Sequence, residues 1–177
     1  ESGITSRHIY LVQVNQPNRP RALLNSRFNE TYPEFSPDGH WIAYCSDESG
    51  RSELYVQPYP GPGKRVLITT DGAAEPLWSR VGQELFYRSL GARNEVISVR
   101  FKIAGNEFIP QQPVKLFEGR FARTGIIRSW DIAADGRFLM LEPDPVPADE
   151  LKLLFPATLR IVLNWTEELK HQPAPAH

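Results

Sequence analysis

One pattern recurs three times in this chain, and it restricts the fold more tightly than any other feature. Its first copy is Pro33-Glu34-Phe35-Ser36-Pro37-Asp38-Gly39-His40-Trp41-Ile42-Ala43-Tyr44. Pro37 presets φ at the first central turn position, Asp38 can bond nearby backbone amides, and Gly39 accepts a positive φ without steric cost. Apolar residues press in on both sides of that turn, so two antiparallel strands meet there in a hairpin. Pro76-Leu77-Trp78-Ser79-Arg80-Val81-Gly82-Gln83-Glu84-Leu85-Phe86-Tyr87 repeats the pattern position for position in type. Trp130-Asp131-Ile132-Ala133-Ala134-Asp135-Gly136-Arg137-Phe138-Leu139-Met140-Leu141 repeats it again. Phe35 to Trp78 is 43 residues and Trp78 to Ile132 is 54. A second ladder follows the hairpins through Ile9-Tyr10-Leu11-Val12, Leu54-Tyr55-Val56-Gln57, Val96-Ile97-Ser98-Val99 and Ile161-Val162-Leu163, with spacings of 45 and 42 between its first three rungs.

A repeat near ~40–45 residues with about four short strands per unit is what a β-propeller blade requires. The fold expected is therefore all-β: a partial propeller of about three four-stranded antiparallel blades and a short C-terminal helix. Residues 1–28 end one blade, 29–70 and 71–122 are full blades, 123–164 is an incomplete last blade, and 165–177 is a helical tail. Strands are expected at Arg7–Val14 and Arg21–Asn25, flanking the polar turn Asn15-Gln16-Pro17-Asn18-Arg19-Pro20, and at Lys64–Thr69 as an outer strand. Glu95–Ile103 is a long third strand, and its turn at Ala104-Gly105-Asn106-Glu107 explains the wider second spacing. Propellers close with about four to eight blades, and this chain supplies roughly half a ring. Either upstream sequence completes the ring or two copies do; the expectation is a homodimer closing about six blades across a two-fold axis.

The motif Phe35-Ser36-Pro37-Asp38-Gly39, then Trp41-Ile42-Ala43-Tyr44 and Glu53-Leu54-Tyr55-Val56, resembles the TolB-like, WD-repeat-like propeller repeat of bacteria. The closing segment Arg160-Ile161-Val162-Leu163-Asn164-Trp165-Thr166-Glu167-Glu168-Leu169-Lys170 resembles the end of propellers attached to bacterial membrane-bound serine/threonine kinases and related regulators. The second hairpin departs from the motif with Arg80-Val81-Gly82, and the third has Ala134 for the proline. The resemblance implies a sensor or scaffold part of a larger bacterial signalling protein, and an extracytoplasmic or periplasmic location. The chain's own ends leave the compartment unknown, since Glu1-Ser2-Gly3 carries no basic and apolar signal segment.

Composition removes several function classes. With 20 basic and 21 acidic side chains, the formal net charge of -1 gives no electrostatic footprint for nucleic acid. No apolar run reaches the roughly 18 residues of a membrane span, so no membrane contact by this fragment is expected. A single cysteine excludes an intrachain disulfide and a multi-cysteine metal site. No Gly-x-Ser-x-Gly elbow, His-Glu-x-x-His pair, phosphate loop or Cys-x-x-Cys occurs, so neither a catalytic set, a metal nor a cofactor is expected. Cys45 shares a strand face with Trp41 and Ala43 and reads as a small buried side chain. Asp47-Glu48-Ser49-Gly50-Arg51-Ser52-Glu53 faintly resembles a calcium loop, but it lacks the terminal glutamate at the right spacing and reads as a solvated turn. Phe35, Trp41, Tyr44, Trp78, Phe86, Tyr87 and Trp130 read as packing between sheets, with Trp130 the exception to watch because its counterparts are Pro33 and Pro76.

In the tail, Asn164 is placed to cap a helix, and Trp165 and Leu169 share one face, either plugging an apolar end of the fold or docking a partner. A ligand site, if present, belongs where the inner strands begin, because the entering loops and the loops between second and third strands gather at one mouth. The candidates there are Asn29, Glu30, Tyr32, Glu75, Arg128 and Trp130, with Arg51 and Arg93 on the rim. Carboxylates beside guanidinium groups suit a protein or peptide partner or a small polar ligand. The reading is a non-catalytic binding or interaction module. The alternatives are an accessory propeller of a peptidase-like hydrolase and a purely structural half-ring that closes by dimerisation.

Overall fold

The computed structural model describes residues 6–143 other than 92, 124 and 126, together with the backbone of the strand Ala157–Val162. The fold is all-β, and no helix occurs among the described residues. Four antiparallel sheets follow one another along the chain. Sheet I is the hairpin β1 (Ile9–Gln13) and β2 (Gln16–Leu24). Sheet II is the meander β3 (Glu30–Phe35), β4 (Trp41–Ser46), β5 (Glu53–Pro58) and β6 (Val66–Leu67). Sheet III runs through β7 (Ala73–Trp78), β8 (Glu84–Ser89) and β9 (Glu95–Ala104), and then β10 (Glu107–Pro110) and β11 (Val114–Glu118). Both of the last two pair with β9, one along Phe101–Ala104 and the other along Glu95–Ser98, so together they form a single interrupted outer strand. Sheet IV holds β12 (Trp130–Ile132), β13 (Phe138–Pro143) and β14 (Ala157–Val162).

Strand alternation sends each sheet's side chains to two different neighbours. In sheet II, Ile42, Tyr44 and Tyr55 pack against Ile9, Leu23 and Leu24 of sheet I. The intervening Trp41, Ala43, Leu54 and Val56 pack against Ala73, Trp78, Leu85, Tyr87 and Val99 of sheet III. Sheet III repeats the arrangement: its opposite face offers Leu77, Phe86 and Val96 to Trp130, Ile132, Phe138 and Met140 of sheet IV. Sheets II and III are thus covered on both sides, which is why β4 is buried from Trp41 to Ser46 without a break. Two indoles tie neighbours together. Trp78 Nε1–H donates to the Glu34 carbonyl at 3.2 Å, and Trp130 Nε1–H donates to the Glu75 carbonyl at 3.1 Å.

The hairpins form as their chemistry dictates, with one exception in register. In the first, Ser36 N–H bonds the Trp41 carbonyl at 2.9 Å, Gly39 has φ 71°, and Asp38 accepts from the Ser36 hydroxyl and the His40 amide. The second, without the Pro-Asp pair, uses the Ser79 hydroxyl as acceptor for the Gly82 amide at 3.2 Å and keeps the same register, Trp78 opposite Leu85. The third is one residue tighter, because Ala133 N–H bonds Arg137 rather than the following residue and Ile132 lies opposite Phe138.

Other expectations are corrected. The polar stretch 15–20 is not a turn beyond its first residue: β2 starts at Gln16 and carries Pro17 and Pro20, which a two-stranded sheet tolerates on a solvent edge. The outer strand expected over Lys64–Thr69 shortens to Val66–Leu67, because Thr69 turns inward to the buried carboxylate of Glu53 at 2.5 Å. Phe35 is no core residue; it is 45% exposed and meets Tyr59 edge-on. Trp130, by contrast, is buried and stacks on Phe138 at 5.8 Å between ring centres. The helix expected over 165–177 lies outside the described residues.

Burial on both faces makes an explicit demand on stability. Leu85→Ala is expected to lower the unfolding free energy by about 2–5 kcal/mol, through lost transfer energy and a cavity. Trp78→Phe is expected to cost about 1–3 kcal/mol by stripping the Glu34 carbonyl of its donor. Urea titration measures both, and a loss below ~1 kcal/mol for Leu85→Ala would show that the two sheet faces are not packed.

Candidate functional site

The first strands of sheets II and III, β3 and β7, are irregular at the same place. Each takes one extra residue against its partner, between Thr31 and Glu34 and between Ala74 and Leu77. The residue in each bulge has a positive φ, 53° at Tyr32 and 54° at Glu75, and each precedes a proline, Pro33 or Pro76. Proline removes a ladder donor, so the bulge forms where pairing is already broken. A left-handed conformation costs a non-glycine residue on the order of 1 kcal/mol or more, and such strain gathers where a side chain must be aimed.

Tyr32 and Glu75 line one cavity of about 730 Å³. Asn29 and Thr31 at the start of β3 and Ala74 of β7 form the wall around them, and the crossover towards β12 adds Arg123. The turns after β4 and β8 contribute Asp47, Ser52 and Leu90, and Arg7 enters from the segment before β1. The cavity is therefore built from sheets II and III, flanked by the approaches to sheets I and IV.

Charge in the floor is held by one hydroxyl. Glu75, 1% exposed, accepts from both the amide and the hydroxyl of Ser129 through Oε2, at 2.9 and 2.7 Å. Arg88, fully buried, donates to the same hydroxyl at 2.9 Å and to the carbonyls of Ala122 and Phe121. Asn94 accepts from the same guanidinium, whose Nε–H is buried without a hydrogen-bond partner. Burial pulls the Arg88 guanidinium down to about 10; Glu75 opposes that fall and Arg123 adds to it. At neutral pH the Arg88 guanidinium keeps its charge, and Ser129 bridges it to Glu75. The Tyr32 phenol is raised by burial and then by Glu75, while Arg7 and Arg123 oppose the rise. On the rim, Asn29 donates its amide and its side-chain N–H to the two oxygens of Asp47, at 2.9 and 2.7 Å.

Of the residues singled out from sequence, Asn29, Tyr32 and Glu75 line this cavity of about 730 Å³ together. Arg128 lines a second cavity of about 290 Å³ that shares Tyr32 and Glu75, and it pairs there with Glu34. Glu30 is buried beneath sheet I with the His8 imidazole 3.8 Å away. Trp130 contributes to the core, not to the cavity wall. Arg51 lies at the outer crossover, 2.8 Å from Glu53, and Arg93 is exposed, 4.0 Å from Glu118. Arg7, Arg123 and Arg88 were not legible as site residues. For Arg88 a signal existed: it is a charged residue inside the buried run Leu85-Phe86-Tyr87-Arg88. Leu90 stands 43 residues after Asp47, one repeat apart, so the spacing also marked that pair. Among the described residues no three His, Cys, Asp or Glu side chains converge as metal ligands. Burial pushes the Cys45 thiol up to about 12, so it is protonated and inert at neutral pH.

No protein-family model matches the chain. Over 51 residues, 29% of its length, it is 47% identical to the Tol-Pal system protein TolB of Pseudomonas aeruginosa. Over 82 residues, 45% of its length, it is 32% identical to the uncharacterized peptidase YuxL of Bacillus subtilis. Each match covers 12% of the relative, so the chain spans about an eighth of the curated relatives it matches. The chain is an all-β protein of successive antiparallel sheets with a partial likeness to TolB.

The Asp47 clasp generates a pH dependence. The Asn29 hydrogen bonds hold the Asp47 carboxyl below its ordinary value. Its stabilisation is whole above the unfolded aspartate value near ~4 and is lost as pH falls through the lower folded value. The Asn29 amide, followed by NMR, is expected to shift with a midpoint below ~4, and Asp47→Ala is expected to abolish that titration. A midpoint at or above the ordinary value would contradict the clasp.

Proposed function

We propose that the four sheets are blades of a β-propeller and that the chain is a non-catalytic binding module, part of a larger bacterial signalling or scaffold protein. Its mouth receives a protein, a peptide or a small polar ligand. The observation that carries this reading is the convergence of Tyr32 and Glu75, equivalent residues of successive repeats, on one cavity through matching bulges. Two further features support rotation about an axis. The Trp78 and Trp130 indoles staple successive sheets in the same sense, and Arg128 ahead of sheet IV reaches Glu34 of sheet II past the inner strand of sheet III. The likeness to TolB agrees with both.

A second reading, an accessory propeller of a peptidase-like hydrolase, is favoured by the likeness to the uncharacterized peptidase YuxL. In that case a nucleophile in another part of the parent polypeptide does the chemistry and the mouth here admits peptide to it. A Gly-x-Ser-x-Gly elbow in the flanking sequence of the gene separates the two readings.

The ring needs a cover over sheet I, where Tyr10 and Val12 alternate with buried Ile9 and are 51% and 55% exposed. A second copy supplies that cover in this proposal. Light scattering at micromolar concentration is expected to return a dimer, and a monomer that unfolds cooperatively would overturn closure by a second copy. For the mouth itself, titration with pooled short peptides and polar small molecules is expected to move the amides of Asn29, Thr31 and Ala74 in NMR spectra. If neither ligand class moves them, the binding reading fails.

A further inference from the structure

Resting on the reading of this cavity as a binding mouth, we propose that it recognises a carboxylate bearing an N–H donor on the same carbon, the group that ends a peptide at its C-terminus. The first support is an acceptor left open in the wall. Glu75 Oε2 is engaged by Ser129, but Oε1 is buried and has no hydrogen-bond partner. Glu75 lines the cavity, and a carboxylate oxygen buried without a partner is an acceptor still to be satisfied.

The second support is a pair of arginines, Arg7 and Arg123, that line the same cavity. The Arg7 guanidinium forms no hydrogen bond or ion pair with the described residues. Arg123 gives one Nη to the Ser89 carbonyl at 2.9 Å and keeps its other donors. Planar guanidinium forks match a carboxylate in two-point geometry. The Tyr32 phenol, on the same cavity, is raised by burial and then by Glu75, while Arg7 and Arg123 oppose the rise.

Simpler ligands fail this combination. An inorganic anion satisfies the guanidinium groups but brings no donor to Glu75 and is repelled by it. A simple ammonium suits Glu75 and meets two positive charges. A terminal residue carries both halves, with its carboxylate on Arg7 and Arg123 and its N–H on Glu75 Oε1. A free amino acid offers the same chemistry, but the cavity of about 730 Å³ has room for several residues.

The test is calorimetric titration of the 177-residue chain with Ala-Ala-Ala, with the same peptide amidated at its C-terminus, and with L-alanine. Free Ala-Ala-Ala is expected to bind, and amidation or the exposed substitution Arg7→Gln to weaken it at least tenfold. Rising salt is expected to weaken the free acid more than the amide. L-alanine binding as tightly as the tripeptide would support the same chemistry and make a free amino acid its source. Equal affinity for acid and amide would overturn carboxylate recognition while the mouth still binds peptide. If neither peptide, blocked or free, nor L-alanine binds, this inference falls, while the binding reading is decided by the wider titration with pooled peptides and polar small molecules.

Discussion

The hydroxyl of Ser129 stands between a buried carboxylate and a buried guanidinium, and much of the structure answers to that contact. Arg88 belongs to the middle of sheet III, Glu75 to its inner strand, and Ser129 to the first residues leading into sheet IV. Taking both charges out of water is costly, and their attraction offsets the cost only while the hydroxyl and the Ala122 and Phe121 carbonyls stay in place. The network therefore pins the crossover between sheets where apolar packing, which has no direction, would let it slide. Losing either charged partner would strand the other in the interior, which is why Arg88 cannot be treated as a core hydrophobe with a charged end.

A comparable latch holds the preceding crossover. Glu53, 1% exposed, accepts the Gly72 amide at 3.0 Å and the Thr69 hydroxyl at 2.5 Å, and Arg51 covers it from the surface. Both latches lie where the chain leaves one sheet for the next. Between them, Trp78 and Trp130 bind the inner strands, so apolar faces provide the driving force and polar contacts set the relative position.

The site is a consequence of this scaffold. A bulge before proline breaks the inner ladder, and it is tolerated because the strand around it is clamped on both faces. The strain at Tyr32 and Glu75 turns both side chains to one cavity, while the flanking Asn29–Asp47 pair keeps its rim in place. Rigid sheets carry the floor and turns carry the rim, an arrangement in which specificity can vary without disturbing the core.

Strand positions and the sheet meander were legible because they depend on local chemistry: Pro37-Asp38-Gly39 makes a turn, and Trp41, Ala43, Ile42 and Tyr44 alternate between two faces. That Tyr32 and Glu75 would come together was legible because the repeat spacing set them at equivalent positions, and both line one cavity. Phe35 misled, since period two says which face a residue takes but not whether a neighbour covers it there. Arg7, Arg88 and Arg123 emerged only from the folded chain. Their partners lie tens of residues away, Arg88 and Ser129 being 41 apart, and no local pattern records which distant carbonyl or hydroxyl a guanidinium will meet. Short-range sterics and hydrophobic periodicity thus determined the strands and their order. Long-range packing alone decided which charges are buried together and which oxygen is left without a donor.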